Sequence, residues 1–190
     1  MSKQGSRDES SHELHRTVSR LLSSAASLDD LARRVLEAIC VGEGWPFASF
    51  WERDDAARVL RCACIWHRPH DTGLAELGRM TEALTFSKGL GAPGRAWLIG
   101  EPQVVENICD EHSFQRRALA LRAGLRSAIV FPLMHEGEVF GVIDLIGRVP
   151  PGDREIEGLF VPLGARLGEF LARMRAADRG SALSHSHAGV

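Results

Sequence analysis

Residues of the types that bind metal ions are most concentrated in residues 62–70, Cys-Ala-Cys-Ile-Trp-His-Arg-Pro-His. Thiolate and imidazole groups bind structural zinc, and Cys62 and Cys64 are spaced to share one face of a strand. His67 and His70 follow within reach of such a site. Cysteine is also among the most frequently buried residue types, and the stretch has the composition of a core strand. We therefore favour a core strand, and no metal site is expected.

Three glycines follow the spacing of a dinucleotide-binding fingerprint, Gly89, Gly91 and Gly94. That fingerprint needs a strand before it, a helix after it and a parallel βαβ unit around it. The residues before Gly89 are polar and irregular, so we interpret the glycines as a flexible turn. Such a turn beside a sheet can still border a ligand pocket.

Asp144 is a carboxylate inside the apolar run of residues 142–146. A buried carboxylate needs a cationic partner, and the candidates are Arg95, Arg117 and Arg126. Buried charges serve packing more often than chemistry. The sequence therefore favours a structural ion pair, with contact to a ligand as the alternative.

Catalytic residues are not expected, because no nucleophile and base have a recognisable spacing or local signature. Cys109 and His112 are close in sequence but are interpreted, like the cysteines above, as structural. No cofactor is assigned. A less favoured hypothesis is a haem- or metal-bound redox sensor that uses His67, His70 or His112.

Length and composition restrict the class of protein. The chain has 190 residues, 44% of them hydrophobic and 25% charged, which is typical of one soluble globular domain. The net charge of −2 gives no electrostatic reason to expect nucleic acid as a partner. Apolar runs are too short to cross a membrane, the N-terminus lacks a signal peptide, and four cysteines do not form a disulfide pattern. We expect a cytoplasmic protein with reduced thiols and no membrane contact.

The elements that must position these residues centre on a hairpin. Residues 128–134 and 139–146 are rich in branched and aromatic side chains, and Gly137 lies in the polar break between them. Both strands are apolar on both sides, which predicts the middle of a sheet with helices on both faces. Pro132 predicts a bulge or an unpaired position, because it has no N–H to donate.

The rest of the chain predicts one domain at residues 12–176, with disordered ends at 1–11 and 177–190. A first helix begins near Ser11, and a second follows a cap at Ser27. The last helix runs to about Arg175 and is bent, or begins late, at Pro162. Shorter elements are predicted at residues 46–52, 59–66, 95–99, 104–105 and 114–123, with a helical turn around 74–81.

Two of these blocks carry a resemblance to a known family. Gly124-Leu-Arg-Ser-Ala, Phe131-Pro-Leu and Val139-Phe-Gly-Val-Ile resemble the closing hairpin of GAF domains. Residues 86–97, Phe-Ser-Lys-Gly-Leu-Gly-Ala-Pro-Gly-Arg-Ala-Trp, are similar to the glycine-rich loop of that family, which leads into a short helix. The resemblance covers about residues 28–173.

The resemblance implies an α/β fold of the α+β type, with a GAF/PAS-like central antiparallel sheet flanked by helices. The N- and C-terminal helices pack together on one face, and a pocket lies under the shorter helices on the other. By residue type and by analogy to the family, the expected ligand-binding residues are Trp51, Trp66, Phe86, Arg95, Trp97, Arg117, Phe131 and Asp144.

Several ligands of the family are not favoured. Bilin-carrying GAF domains place a cysteine, usually next to histidine, in the helix before the hairpin, where this chain has Arg116 and Arg117. The cysteine pattern of free-methionine-sulfoxide reductases and the cyclic-nucleotide signature of phosphodiesterase GAF domains are not visible. The ligand is therefore unknown.

The function expected from the resemblance is a non-enzymatic sensor domain of bacterial signal transduction that binds a small molecule. The alternative is a degenerate domain that serves only dimerisation or protein interaction. Apolar stripes in residues 14–22 and 159–174, with Gly164 and Gly168 spaced for close helix contact, favour a homodimer through the terminal helices. A signalling partner is then a separate protein.

Overall fold

The computed structural model describes residues 3–25 and 27–186; Met1, Ser2, Ala26 and residues 187–190 lie outside this part. The order of elements is α1 Lys3–Ser24, α2 Leu28–Glu43, β1 Phe47–Asp54, β2 Val59–His67, α3 Thr72–Glu82, β3 Thr85–Ser87, α4 Gly91–Ile99, β4 Gln103–Val105, α5 Arg117–Arg122, β5 Ser127–His135, β6 Glu138–Gly147, α6 Asp153–Glu155, a π-helical turn Ile156–Phe160, and α7 Val161–Ser186.

The strands form one antiparallel sheet in the order β3-β2-β1-β6-β5-β4. The predicted hairpin, β5–β6, lies inside the sheet between β1 and β4 and is buried on both faces. Glu136 and Gly137 both have positive φ, which fits the two-residue turn expected there. β4 pairs only with residues 128–130, and the β5–β6 register shifts between Leu133 and Met134. The residue left without a partner is Phe140 of β6, and Pro132 is in register with Val142, so the bulge expected in the strand of Pro132 lies in the neighbouring strand.

Each face of the sheet carries its own hydrophobic core. Helices α1, α2 and α7 cover one face, called here the bundle face, through residues such as Val18, Leu36 and Leu163. Helices α3, α4 and α5 cover the other, the cap face, through residues such as Leu77 and Ala120. Burial of one large apolar side chain contributes roughly 1.5–3 kcal/mol before entropy, and the hairpin supplies such side chains to both cores. The α+β prediction is confirmed.

Gly164 and Gly168 bring α7 against strand β5. A Cβ at Gly164 would overlap the carbonyl oxygen of Pro132, and a Cβ at Gly168 would overlap the backbone of Met134. The spacing that suggested contact between helices is thus used for contact between helix and sheet within the chain. The apolar stripes are buried in the same way, since Leu14 and Val18 pack in the bundle-face core.

The helix ends differ from the predictions. Residues 3–11 and 177–186, predicted to be disordered, are helical; the remaining residues of those two segments lie outside the described part. Once a helix has formed, each further residue adds one hydrogen bond at little entropic cost. A helix can therefore extend beyond the residues that carry its apolar stripe. The predicted irregularity at Pro162 is a π-helical turn just before it, which is one way to accommodate the lost N–H donor.

The boundaries of two short helices also differ from the predicted ones. α4 begins at Gly91 rather than at Arg95, so part of the glycine loop forms its first turn. α5 is limited to Arg117–Arg122, and turns precede it. Within the described ranges, no helix combines the length and the hydrophobicity that a membrane span requires.

Candidate functional site

A buried ion pair lies on the cap face. Asp144 is in the middle of β6, opposite Ser49 of β1 and Val130 of β5, and its side chain is 0% exposed. Arg116, 2% exposed, donates from Nη2 to Asp144 Oδ2. Each ion loses several kcal/mol of hydration on burial, so neither is tolerated without the other.

Aromatic rings surround the guanidinium of Arg116. Its Cζ lies 5.6 Å from the ring centroid of Trp51, 5.9 Å from that of Phe86 and 5.1 Å from that of Phe114. Trp51 and Phe86 meet edge to face at 4.8 Å, and Trp51 Nε1 donates to Ser49 Oγ at 2.9 Å. Cation–π contacts of this kind gain strength when they are shielded from water.

The ion pair leaves polar atoms unused. Arg116 Nη1 and Asp144 Oδ1 are buried and have no hydrogen-bond partner among the described residues. An arginine and a carboxylate can share two parallel hydrogen bonds, and this pair makes one. Buried polar atoms are nearly always paired, so these two atoms mark the site as incomplete.

Arg116 is the last residue of an irregular segment, residues 109–116, which we call the covering segment. Before it, Ile108 N donates to Arg126 O at 2.7 Å and ties the chain to the start of β5. Within it, Glu111 accepts from Ser113 Oγ and pairs with Arg95 of α4 at 3.3 Å. These contacts lower the pKa of Glu111, the hydrogen bond from Ser113 contributing most.

The glycine loop is closed by its own hydrogen bonds. Gly89 N donates to Gly94 O at 2.8 Å, and Leu90 N donates to Ser87 O at 3.0 Å. A Cβ at Gly94 would overlap Ser87 O, so a close backbone approach requires glycine there. The surrounding sheet is antiparallel, so the context that a dinucleotide fingerprint needs is missing here.

The two cysteines of β2 do not share a face, contrary to the prediction. The β1–β2 register shifts so that Trp51 pairs with Cys62 and Phe50 with Cys64, which leaves Ala63 unpaired in a bulge. Cys62 therefore packs on the cap-face core and Cys64 on the bundle-face core. In residues 3–25 and 27–186, no group of three or more His, Cys, Asp or Glu side chains is arranged to hold a metal.

The sequence model of the GAF domain matches residues 25–172 of the chain. The chain belongs to the GAF domain family. A comparison with curated proteins finds no match.

Solved GAF domains share its fold. The nlh2 GAF domain of A. aeolicus, in an inactive state, is 18% identical with a TM-score of 0.71 over 88% of this chain and 99% of that one. The GAF domain of a phosphoenolpyruvate-protein phosphotransferase from Coxiella burnetii is 16% identical, with a TM-score of 0.73 over 90% and 98%. Free methionine-R-sulfoxide reductase from Neisseria meningitidis, in complex with its substrate, is 18% identical, with a TM-score of 0.64 over 90% and 93%.

Three of the predicted site residues of this GAF domain meet at the ion pair, namely Trp51, Phe86 and Asp144. Trp97 lies in the same cap-face core, half-buried, with Lys88 Nζ 5.7 Å from its ring centroid. The ligand-binding role of these residues stays a prediction.

The predicted partners of Asp144 were wrong. Arg95 pairs with Glu111, Arg117 Nη1 lies 3.0 Å from His112 Nδ1, and Arg126 donates to the carbonyl groups of Leu121 and Leu125. Arg116 ends the covering segment and points inward, whereas Arg117 begins α5. The basic pair was visible in the sequence, but which member turns inward depends on where the helix starts.

Trp66 and Phe131 are not at the site, because both belong to the bundle face. Phe131 stacks on Phe160 with a centroid distance of 5.2 Å, and Trp66 packs against the same core. The bulge at Ala63 and the alternation of β5 determine these orientations. Phe114 was not predicted as a site residue. Its position two residues before Arg116 is the one sequence feature that could have pointed to it.

A small cavity lies on the bundle face between α2 and α7. Its volume is about 20 Å³, and its lining is apolar. That volume is about one water molecule, and an apolar cavity of this kind stays dry. The cavity is therefore a packing gap rather than a ligand pocket.

Proposed function

We propose that this GAF domain is a non-enzymatic regulatory domain of signal transduction that binds a small molecule on its cap face, at Arg116 and Asp144. The observation that carries the proposal is the buried charge pair with one unused donor and one unused acceptor. Such atoms are costly in a purely structural role, and ligand pockets typically combine apolar walls with a few convergent polar groups.

The family supports the regulatory part of the proposal, since GAF domains are commonly sensor or regulatory domains of signalling proteins. A cytoplasmic location and a partner protein in trans are part of the same proposal. A homodimer through the terminal helices remains a prediction, and it needs helix faces other than the stripes that are buried within the chain.

The state of the thiols supports the non-enzymatic part. Some structures that resemble this chain are reductases of free methionine-R-sulfoxide. Thiol chemistry requires a thiolate. Burial raises the pKa of Cys62 to about 12, and it raises the pKa of Cys40 and Cys64 as well. These three cysteines are therefore protonated at neutral pH. The fourth, Cys109, is exposed, and burial does not restrict its chemistry.

A second candidate function follows from the filled interior. Arg116 and Phe114 occupy the space between the sheet and the covering segment. If that arrangement is permanent, the domain serves only dimerisation or protein interaction. The same buried pair then acts as a structural element.

The experiment is native mass spectrometry of the protein purified from its own host, with an absorption spectrum of the same sample. A stoichiometric mass excess that disappears in Asp144→Asn supports the sensor. A clean apo protein that binds nothing from a host metabolite extract contradicts it and favours the interaction module. Turnover of free methionine-R-sulfoxide above that of a variant with all four cysteines changed to serine contradicts the non-enzymatic part.

A further inference from the structure

The parts of the cap-face site come from two different sources. Trp51, Phe86 and Asp144 belong to strands β1, β3 and β6 of the sheet. Arg116 and Phe114 belong to the covering segment, residues 109–116, which has no regular secondary structure. The sheet thus supplies a fixed receptor, and an irregular segment supplies what fills it.

The receptor has the chemistry of a cation site. Aromatic ring faces attract a guanidinium or ammonium group, and a carboxylate accepts its hydrogen bonds. The occupant seen here is a guanidinium, that of Arg116. We propose that Trp51, Phe86 and Asp144 form a binding site for a small ligand that bears a guanidinium group, with Arg116 as its internal competitor. The inference rests on the proposed function and names the ligand class of that site.

A free guanidinium compound can bind Asp144 better than Arg116 does. Arg116 reaches Asp144 with Nη2 only, and Nη1 and the second carboxylate oxygen are left unpaired. Its side chain is held by the backbone of the covering segment, which fixes the approach of the guanidinium. A small ligand without that tether can turn to make both hydrogen bonds of the parallel fork.

Apart from Arg116 itself, the covering segment has few buried contacts to lose when it opens. Of the side chains in the covering segment, only those of Phe114 and Arg116 are buried. Its backbone hydrogen bonds are local turns, such as Asp110 N to Asn107 O and Phe114 N to Glu111 O. Segments with few buried contacts and local hydrogen bonds open at low free energy. The incoming cation replaces the departing one, so Asp144 keeps a partner.

Arg95 opposes this opening through its contacts with Glu111 and Ser113, which we call the strap. Arg95 binds Glu111 and Ser113 at 3.3 Å each, and both residues lie in the segment. A ligand that binds only the open state has its apparent affinity reduced by the fraction of molecules that are open. Removal of the strap should therefore strengthen ligand binding, although the hydrogen bonds described for Arg95 go to the covering segment and not to the receptor residues.

The first test is chemical rescue of Arg116→Ala with methylguanidinium at millimolar concentration. The variant exposes the receptor, and at a tenfold excess over Kd the ligand should raise its Tm by about 3–5 °C. Arg117→Ala is the matched control, since it removes the neighbouring arginine outside the site, and its Tm should rise no more than that of the unmodified protein. The double variant R116A/D144N should also not respond. No rescue in a folded R116A overturns the proposal.

The second test needs no variant of Arg116 and applies even where R116A does not fold. Agmatine is titrated calorimetrically into the unmodified protein, Arg95→Ala and Arg122→Ala. We expect binding that is about 3–10-fold tighter in R95A, because the strap is lost. R122A breaks another arginine–glutamate pair of the cap face, the more exposed Arg122–Glu76 at 3.1 Å, and should bind as the unmodified protein does.

Two further results would overturn the inference. Absence of agmatine binding to both the unmodified protein and R95A is the first. Equal affinity for putrescine, a diamine without a guanidinium, is the second. Recovery from the host of a ligand without a cationic group, with binding lost in Asp144→Asn, would leave the proposed function standing and reject the guanidinium class.

Discussion

Asp144 carries its charge in the centre of the sheet and depends on one guanidinium for compensation. Removal of one partner of such a pair leaves the other charge buried and alone, which is far worse than removal of both. Comparison of single and double variants therefore measures what the pair contributes to stability, separately from any role in ligand recognition.

At the residue scale, we predict that Arg116→Ala and Asp144→Ala each lower the free energy of unfolding by about 3–5 kcal/mol. The double variant R116M/D144L, which replaces the pair by apolar side chains, should lie within about 1 kcal/mol of the unmodified protein. Urea denaturation followed by circular dichroism measures all three. Arg122→Ala is the control, because exposed pairs contribute at most about 1 kcal/mol. Additive losses in the double variant would contradict this account.

The residues of the site were predicted unevenly, for a physical reason. Strand alternation is local, so the sequence puts Asp144 on the same face as Val142 and Ile146 once the strand is assigned, but both faces are apolar and the alternation does not say which helices cover them. The choice of Arg116 over its neighbour depends on the start of α5, and the separation of Cys62 from Cys64 depends on a bulge set by the pairing with β1. Neither the helix start nor the bulge can be predicted from the residues of its own segment.

At the element scale, α7 and β5 are held together by close backbone contact. Gly164 and Gly168 face Pro132 and Met134, whose backbone atoms cannot rotate away as a side chain can. The sheet therefore sets the distance of the helix, and the apolar stripe of α7 fills the space that remains.

We predict that Gly164→Ala and Gly168→Ala each destabilise the protein by about 1–3 kcal/mol, because the added methyl group displaces α7 from the sheet. Thermal or urea denaturation measures the loss. Gly42→Ala in α2 is the matched control, since a Cβ there has nothing within 4 Å. It should be neutral or stabilise by up to about 1 kcal/mol. Equal effects at all three glycines would show that helix propensity, not contact with β5, explains the result.

The strap on the covering segment responds to acid. The pKa of Glu111 is lowered by Ser113 and Arg95, so the carboxylate is ionised and the strap intact above the ordinary pKa of glutamate. The strap is lost as the pH falls through the lowered pKa. The covering segment is thus secured by Arg95 at neutral pH.

At the scale of the whole molecule, one polar network ties α7 to both hairpins of the sheet. Arg175 Nη2 donates to Arg53 O at 2.6 Å, and Nη1 pairs with Asp55 at 3.2 Å. Arg53 pairs with Glu138 at 2.6 Å, and both guanidinium groups lie 5.6 Å from the ring centroid of Phe140. The direction in which α7 leaves the domain is therefore coupled to the central hairpin.

We predict that Arg175→Ala loosens the part of α7 around residue 175 and lowers stability by about 1 kcal/mol. Hydrogen exchange should become faster in residues 170–177 and remain unchanged in β5 and β6. Arg173→Ala is the control, because Arg173 pairs only across an exposed helical turn with Glu169 among the pairs described. Unchanged exchange at residues 170–177 in R175A would contradict the role of the network.

The sequence by itself determined the family, the central hairpin with its tight turn, the α+β class and the apolar stripes of the terminal helices. These features come from local periodicity, turn chemistry and the order of short motifs, which act between neighbours in the chain. Only the tertiary structure decided that Arg116 pairs with Asp144, that the glycines of α7 face β5, and that Trp66 and Phe131 lie on the bundle face. Each depends on a helix start, a strand register or a close backbone contact between distant segments, and these are fixed only when the whole chain packs.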